Sequence, residues 1–140
     1  MSIPSKKVVN ALGVLFDKHM TMEDQVKHVC KTAYFHLRSI ANIRRYLSTE
    51  AAKSLVHSLV TSRLDYCNSL LVGLPAVLLQ RLQRVQNSAA RVITGTRRTE
   101  HITPVLMELH WLPIERRVQF KILLHTYKAL HDEAPQYLTE

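Results

Sequence analysis

The sequence predicts an all-α fold, a helical bundle of four to five helices with one short N-terminal strand. Apolar residues make up 46% of the 140 residues, which is enough for one domain with a real core. Only 3 glycines and 5 prolines are present, so regular structure is seldom interrupted. Between these breaks the apolar residues recur with a helical period.

The strand is predicted over residues 8–16. Leu12, Val14 and Phe16 alternate along the chain and would share one face, and Gly13 between them indicates a bend or a close backbone approach. A lone strand leaves its backbone groups unpaired. We therefore expect it to be frayed, docked on helices or paired between chains.

The first helix is predicted to begin at Thr21 and Asp24, which are spaced like a variant capping box, and to continue to about Leu47. Its apolar stripe consists of Val26, Cys30, Ala33, Leu37, Ile40 and Ala41. A second stripe, on one flank, is cationic and consists of Lys27, Lys31, Arg38 and Arg45. Such a line of charges can follow a phosphate backbone, although a solvated helix face is the simpler interpretation of this stripe alone.

The second helix is predicted from a cap at Ser48 or Thr49 to about Leu71. Its apolar arc contains Ala52, Leu55, Val56, Leu59, Tyr66, Cys67 and Leu70. Arg63 falls inside this arc, and a buried unpaired guanidinium costs roughly 3–5 kcal/mol. Because Asp65 points to the opposite side of a continuous helix, Arg63 is expected to find another partner or to reach the surface. We assign it a structural role.

The third helix is predicted to open at Pro75 and to end at Gly95. Its core face contains Leu78, Leu79, Leu82, Val85, Ala89, Val92 and Ile93. Arginines occupy the opposite face, one flank and the following loop: Arg84 and Arg91, then Arg81, then Arg97 and Arg98.

A short helix is predicted from Thr103 and Pro104 to near His110, and a last helix from Pro113 to about His131. The last helix is apolar on two sides and is therefore expected to be central. One side contains Ile114, Val118, Ile122 and Ala129, and the other contains Phe120, Leu123, Tyr127 and Leu130. Trp111, in the turn before this helix, is expected to pack rather than to stack on a base, because a tryptophan buries a large apolar area.

Catalysis is not predicted. Template-directed polymerisation needs carboxylates that hold two metal ions about 3.5–4 Å apart, whereas Asp17, Asp24, Asp65 and Asp132 are isolated in the sequence. The 8 histidines and 2 cysteines lack the spacing of a zinc site, and no glycine-rich phosphate loop is present. We expect no metal, no cofactor and no enzymatic activity.

The net charge of +8 favours a phosphate-rich partner. The N-terminus lacks the apolar segment of a signal peptide, and no apolar run is long enough for a membrane span. The expected location is intracellular, cytoplasmic or nuclear, with no secretion and no membrane partner.

Four short motifs follow one another along the chain: SRLDYCNSLL, LQRVQNSAAR, HITPVL and LHWLP. The segment NALGVLFD precedes them. In these motifs and their order, the chain resembles the C-terminal, post-palm segment of reverse transcriptases of jockey-like non-LTR retrotransposons, over nearly its whole length. The catalytic carboxylates of those RNA-directed DNA polymerases lie upstream of this segment. The resemblance implies a thumb-like helical piece that holds the primer–template duplex.

The resemblance also implies a division into three parts: residues 1–20 as a residual palm-end strand and linker, 21–132 as the helical thumb-like domain, and 133–140 as a frayed C-terminal end. Leu12, Gly13 and Val14 match the segment near the 3′ end of the primer, and Arg81, Arg84, Arg91, Arg97 and Arg98 become candidate contacts to the RNA or DNA backbone. The palm domain of a reverse transcriptase is a further candidate partner. The alternative hypothesis is a helical protein-interaction module or homo-oligomer without a nucleic-acid role.

Overall fold

The computed structural model describes residues 7–138, and it confirms the mostly α-helical fold with a short N-terminal sheet. The strands are β1 (Val8–Ala11) and β2 (Val14–Asp17). The helices are α1 (Glu23–Ile43), α2 (Thr49–Val56), α3 (Ser62–Asp65), α4 (Ala76–Thr94), α5 (Thr103–Glu108) and α6 (Ile114–Leu130). A π-helical turn, His57–Thr61, joins α2 to α3 without a break, so the bundle has five helical rods.

The N-terminal β-structure is confirmed, but the segment predicted as one strand over residues 8–16 forms a hairpin of two strands. β1 and β2 pair antiparallel, with Val8 opposite Asp17 and Ala11 opposite Val14. Leu12 and Gly13 form the turn with φ of 51° and 84°, the left-handed pair that suits a two-residue hairpin. Leucine is an unusual residue there, which is why the turn was missed. Because the two strands pair with each other, the hairpin needs no strand from another chain.

Asp17, at the end of β2, caps the entrance to α1. Its carboxylate accepts hydrogen bonds from the backbone N–H groups of His19, Thr21 and Met22 at 2.9–3.0 Å and from the Thr21 hydroxyl at 2.9 Å. The predicted Thr21 cap is reduced to a long bond of 3.4 Å from the Glu23 N–H to the Thr21 hydroxyl. The side chain that organises the start of the helix therefore comes from the hairpin.

Packing of α1 against α4 forms the centre of the bundle. Val26, Ala33, Leu37 and Ile40 are buried as the apolar stripe of α1 predicted, whereas Ala41 is exposed. The buried face of α4 contains Leu78, Leu82, Val85, Gln86, Ala89, Ala90 and Ile93. The termini of α4 also match the prediction, since Pro75 precedes it and Gly95, with φ of 74°, follows it.

Arg44 connects the C-terminal ends of these two helices. Its guanidinium donates to the carbonyl oxygens of Val92 at 3.0 Å, Ile93 at 2.7 Å and Leu47 at 2.8 Å. The last carbonyls of a helix have no partner within the helix, and a cation is favourable at this negative end of the helix dipole. Arg44 therefore fixes the position of the C-terminal end of α1 relative to that of α4.

The second helix departs from its prediction at the π-helical turn. The Ser62 N–H donates to the His57 carbonyl, while the Ser62 hydroxyl donates to the nearer Ser58 carbonyl at 2.6 Å. The extra residue in this turn rotates everything after it. Arg63 is consequently exposed, with its Nε donating to the Leu59 carbonyl at 3.2 Å. Its predicted place inside the apolar arc was therefore wrong, whereas the expectation that it reaches the surface is confirmed.

The same rotation brings Leu64 into the core and turns Tyr66, Cys67 and Leu70 outward. The helix ends at Asp65 instead of Leu71, because Tyr66 is extended with ψ of 119° and Cys67 is left-handed with φ of 52°. Asp65 then forms a bidentate ion pair with Nη1 of Arg117 on α6 at 2.7 and 2.8 Å. A continuous helix would not have predicted this partner.

α6 is covered on one side only, so the prediction that it is central was wrong. Ile114 and Val118 are buried, and two glutamines of α4 hold the start of the helix. The Gln83 Oε1 accepts from the Ile114 N–H at 2.8 Å, and the buried Gln86 amide donates to the Leu112 carbonyl at 2.8 Å. The second apolar side remains exposed: Phe120, Leu123, Tyr127 and Leu130.

Replacing Arg44 tests the connection between α1 and α4. We expect Arg44→Met to lower the free energy of unfolding by about 2–3 kcal/mol, because hydrogen bonds from a charged group to the carbonyls at the end of α4 are lost. Urea denaturation followed by circular dichroism measures this. The control is Arg45→Met, since Arg45 is exposed and contacts only the Tyr46 ring among the described residues; its effect should stay within about 0.5 kcal/mol. Equal effects of the two variants would contradict the role given to Arg44.

The Asp17 cap predicts a pH-dependent stability. Hydrogen bonds, first among them the one from the Thr21 backbone, lower the pKa of Asp17 in the folded protein. A carboxyl group whose pKa is lower in the folded protein than in the unfolded protein stabilises the fold at pH values above the unfolded pKa of about 4. This contribution is lost as the pH falls through the folded pKa. The difference in urea midpoint between wild type and Asp17→Asn should therefore be largest above about pH 5 and shrink below about pH 4. A difference that stays constant over this range would exclude the ionised cap.

Candidate nucleic-acid interface

A cleft of about 640 Å³ opens between α1, α4 and the loop after α4. Its lining is polar and cationic, and it consists of Tyr34, Arg84, Asn87, Ser88, Arg91 and Arg98. Three of the five arginines predicted from the third helix and its loop therefore meet at one surface. We call this surface the α1–α4 cleft.

The way in which α1 and α4 pack explains the cleft. The charge of Arg81 acts on Cys30, Tyr34 shares the cleft with Arg84, and Arg44 binds the carbonyl of Ile93. Early residues of α1 thus lie beside early residues of α4, and late residues beside late ones. The helices run in the same direction, so the cationic flank of α1 lies along the cationic face of α4.

The cationic stripe of α1 extends the cleft in both directions. Tyr34 follows Lys31 by three residues and precedes Arg38 by four, so the three side chains share one side of the helix. Lys27 and Arg45 continue this line, and all four cations are exposed. From Lys27 to Arg38, within α1, the stripe is about 16 Å long at 1.5 Å per residue, and Arg45 follows in the 3-10 turn Arg44–Tyr46. The α-helical part spans roughly five phosphates of one strand in duplex spacing.

Arg91 shapes the loop as well as contributing charge. Its Nε donates to the Arg97 carbonyl at 3.3 Å and its Nη2 to the Glu100 carbonyl at 3.1 Å. The Glu100 carboxylate in turn accepts from the Arg97 N–H at 2.9 Å. These bonds fold residues 97–100 back over the end of α4, and Arg98 lines the cleft as a result. Arg97 is exposed but is not among the lining residues.

Arg81 and Cys30 mark the other end of the interface. Arg81 is exposed and Cys30 is half-buried. Burial raises the pKa of the Cys30 thiol, and the charge of Arg81 offsets part of that increase. At neutral pH the Cys30 thiol therefore stays protonated, and Arg81 carries the charge at this position.

Two aspartates of the described residues have structural roles. Asp17 caps α1 and Asp65 pairs with Arg117. Within residues 7–138, no three histidine, cysteine, aspartate or glutamate side chains are placed to hold a metal ion. Trp111 is half-buried and packs against the core, with the Arg117 guanidinium 5.9 Å from its ring centre, which agrees with the packing role predicted for it.

Sequence reasoning missed Tyr34 and Ser88, and it left Asn87 out of the candidate contacts although Asn87 shares a helical face with Arg84 and Arg91. A signal for Tyr34 exists, since it stands in the cationic stripe at helical spacing. Asn87 and Ser88 have no signal that separates them from other polar residues of a solvated helix face. Only the packing of α1 beside α4 shows that they line a shared cleft.

The chain matches no family model, no curated protein and no solved structure in comparisons with known proteins. Over the described residues, no helix combines the length and the apolarity that crossing a membrane requires.

Loosening the loop after α4 tests the role of Arg91. We expect Arg91→Gln to accelerate tryptic cleavage after Arg97 and Arg98 by about tenfold, because loss of about 1.4 kcal/mol of hydrogen bonding raises the population of the open loop by that factor. Mass spectrometry of timed digests locates and quantifies the cuts. Arg84→Gln, which removes a charge from the same cleft without touching the loop, is the matched control. Similar cleavage rates in both variants would show that Arg91 does not hold the loop.

Proposed function

We propose that this chain is a catalytically incomplete, thumb-like segment of an RNA-directed DNA polymerase of the non-LTR retroelement type, which binds the backbone of a primer–template. The observation that carries this proposal is the α1–α4 cleft, where cations from two helices and a loop converge. Two features support it independently: the motifs in which the chain resembles that family, and a net charge of +8. The proposed activity is binding alone, since the carboxylates of the polymerase family lie upstream of the segment that this chain resembles.

Binding of this kind acts on phosphates and carries no base information. Arg84 and Arg98 are exposed at the cleft, and the α1 stripe offers Lys27, Lys31 and Arg38 beside them. Each phosphate that these cations neutralise releases counterions. The logarithm of the binding constant then falls with the logarithm of the salt concentration by about 0.7–0.9 per phosphate.

The exposed side of α6 favours a second candidate function, a protein-interaction module. Leu130 is 76% exposed and Leu123 67%, and contiguous apolar surface of this kind marks interaction sites. A cleft of about 300 Å³ continues this side toward Asn68, whose buried Oδ1 accepts no hydrogen bond from any described residue. A palm domain or a second copy of the chain would cover this surface.

Fluorescence anisotropy with a labelled 12-base-pair RNA–DNA hybrid, from 50 to 300 mM salt, tests the first candidate. We expect binding that weakens steeply with salt, and at least a tenfold loss of affinity at 100 mM salt in Arg84→Gln/Arg98→Gln, because two phosphate contacts disappear. The control is Arg116→Gln/Lys128→Gln, which removes the same net charge from exposed positions of α6.

Equal losses of affinity in the two double variants would show that the hybrid is bound by general electrostatic attraction and not at the cleft. Negligible binding of the wild-type protein at 50 mM salt would overturn the nucleic-acid function. Sedimentation velocity on the same samples then examines the second candidate. Association through α6 should depend on protein concentration, persist at 300 mM salt and disappear in Leu123→Ser.

A further inference from the structure

The α1–α4 cleft contains an aromatic ring among its cations. Tyr34 is 39% exposed, and it lies on the cleft side of α1 with Arg84, Asn87 and Ser88 across from it. In the described part of the chain, neither an aromatic ring nor an arginine stacks on the Tyr34 ring, although Arg45 covers Tyr46 and Arg117 lies near Trp111. The Tyr34 ring is therefore partly exposed in the cleft and has no stacking partner within the described residues.

Polar groups surround this ring in positions that suit a base and its phosphate. Asn87 Oδ1 accepts from the Gln83 amide at 2.8 Å, which leaves the Asn87 Nδ2 as a donor. The Ser88 hydroxyl donates to the Arg84 carbonyl at 2.9 Å, so its oxygen can still accept a hydrogen bond. Arg84 and Arg98 add two positive charges. The cleft thus combines a stacking surface, a donor, an acceptor and cations.

We propose that the α1–α4 cleft binds one unpaired nucleotide, with its base stacked on Tyr34 and its phosphates on Arg84 and Arg98. This inference rests on the proposed nucleic-acid function and assigns the cleft to an unpaired part of the primer–template, while the duplex part contacts the cations through its backbone alone. A base inside a duplex is stacked on both of its faces and cannot reach the ring. Aromatic stacking within a cationic groove is the usual way in which proteins hold single strands without sequence preference.

The size of the cleft agrees with a single nucleotide. Its volume of about 640 Å³ lies within the roughly 300–1,000 Å³ of small-molecule sites. The α1 stripe continues on both sides of Tyr34 and would hold the phosphates of neighbouring nucleotides. A strand would therefore run along α1, with one base turned into the cleft.

Substitution of Tyr34, combined with a strand that lacks bases, separates the contribution of base stacking to the affinity from that of phosphate contacts. We expect wild type to bind a labelled 12-nucleotide single strand about tenfold more tightly than the 12-base-pair hybrid at 100 mM salt. Tyr34→Ala should weaken binding of the single strand about tenfold and leave its salt slope unchanged, because no phosphate contact is lost. Tyr34→Phe, which keeps the ring, should bind like wild type.

Two controls isolate the cleft. Phe35→Ala removes the neighbouring exposed ring on a different side of α1 and should leave binding unchanged. A 12-nucleotide strand of abasic sites has the same phosphates without bases, and wild type and Tyr34→Ala should bind it equally. Circular dichroism confirms that each variant keeps the fold.

The outcomes distinguish this inference from the function on which it rests. Salt-dependent binding that is the same in wild type and Tyr34→Ala overturns the nucleotide cleft and leaves the backbone interface in place. An equal effect of Tyr34→Ala on normal and abasic strands also overturns it, because stacking requires a base. Absence of any binding at 50 mM salt removes the proposed function and this inference together.

Discussion

The registration of α1 against α4 is the constraint on which the candidate interface depends. Arg44 sets it by donating to the carbonyls at the end of α4, and the buried stripe from Val26 to Ile40 maintains it along the helix. Because the helices run in the same direction, Tyr34 comes to lie across from Arg84 and Ser88. A shift of one helical turn, about 5.4 Å, would separate the ring from the arginines.

A single extra residue in a helical turn has large consequences elsewhere in the molecule. The π-helical turn His57–Thr61 rotates Arg63 out to solvent and Leu64 into the core. It also precedes the early end of α3 at Asp65, where the carboxylate meets Arg117 and anchors the start of α6. One local change in hydrogen bonding therefore relieves an unpaired buried charge and joins two distant parts of the chain.

The charges of the chain divide between structure and surface. Arg44 and Arg117 contact carbonyls or carboxylates within the protein, and Arg91 holds a loop. Arg81, Arg84, Arg98 and the cations of the α1 stripe are exposed. Sequence alone gives every arginine the same formal charge, whereas hydrogen-bond partners separate those that stabilise the fold from those that remain for a ligand.

The sequence by itself determined the all-α class, most of the buried stripe of α1, the limits of α4 between Pro75 and Gly95, and the candidate cations. These follow from local rules: helical periodicity, proline at a start and glycine at an end. Only the tertiary structure decided the hairpin, the outward turn of Arg63, the Asp65–Arg117 pair, the uncovered side of α6 and the place of Tyr34 in the cleft. The hairpin is local, but leucine is an unusual residue at its turn and hides it from a sequence pattern. Each of the other features depends on contacts between residues far apart in the chain, or on one inserted residue that shifts the phase of a helix, and a local pattern carries no information about either.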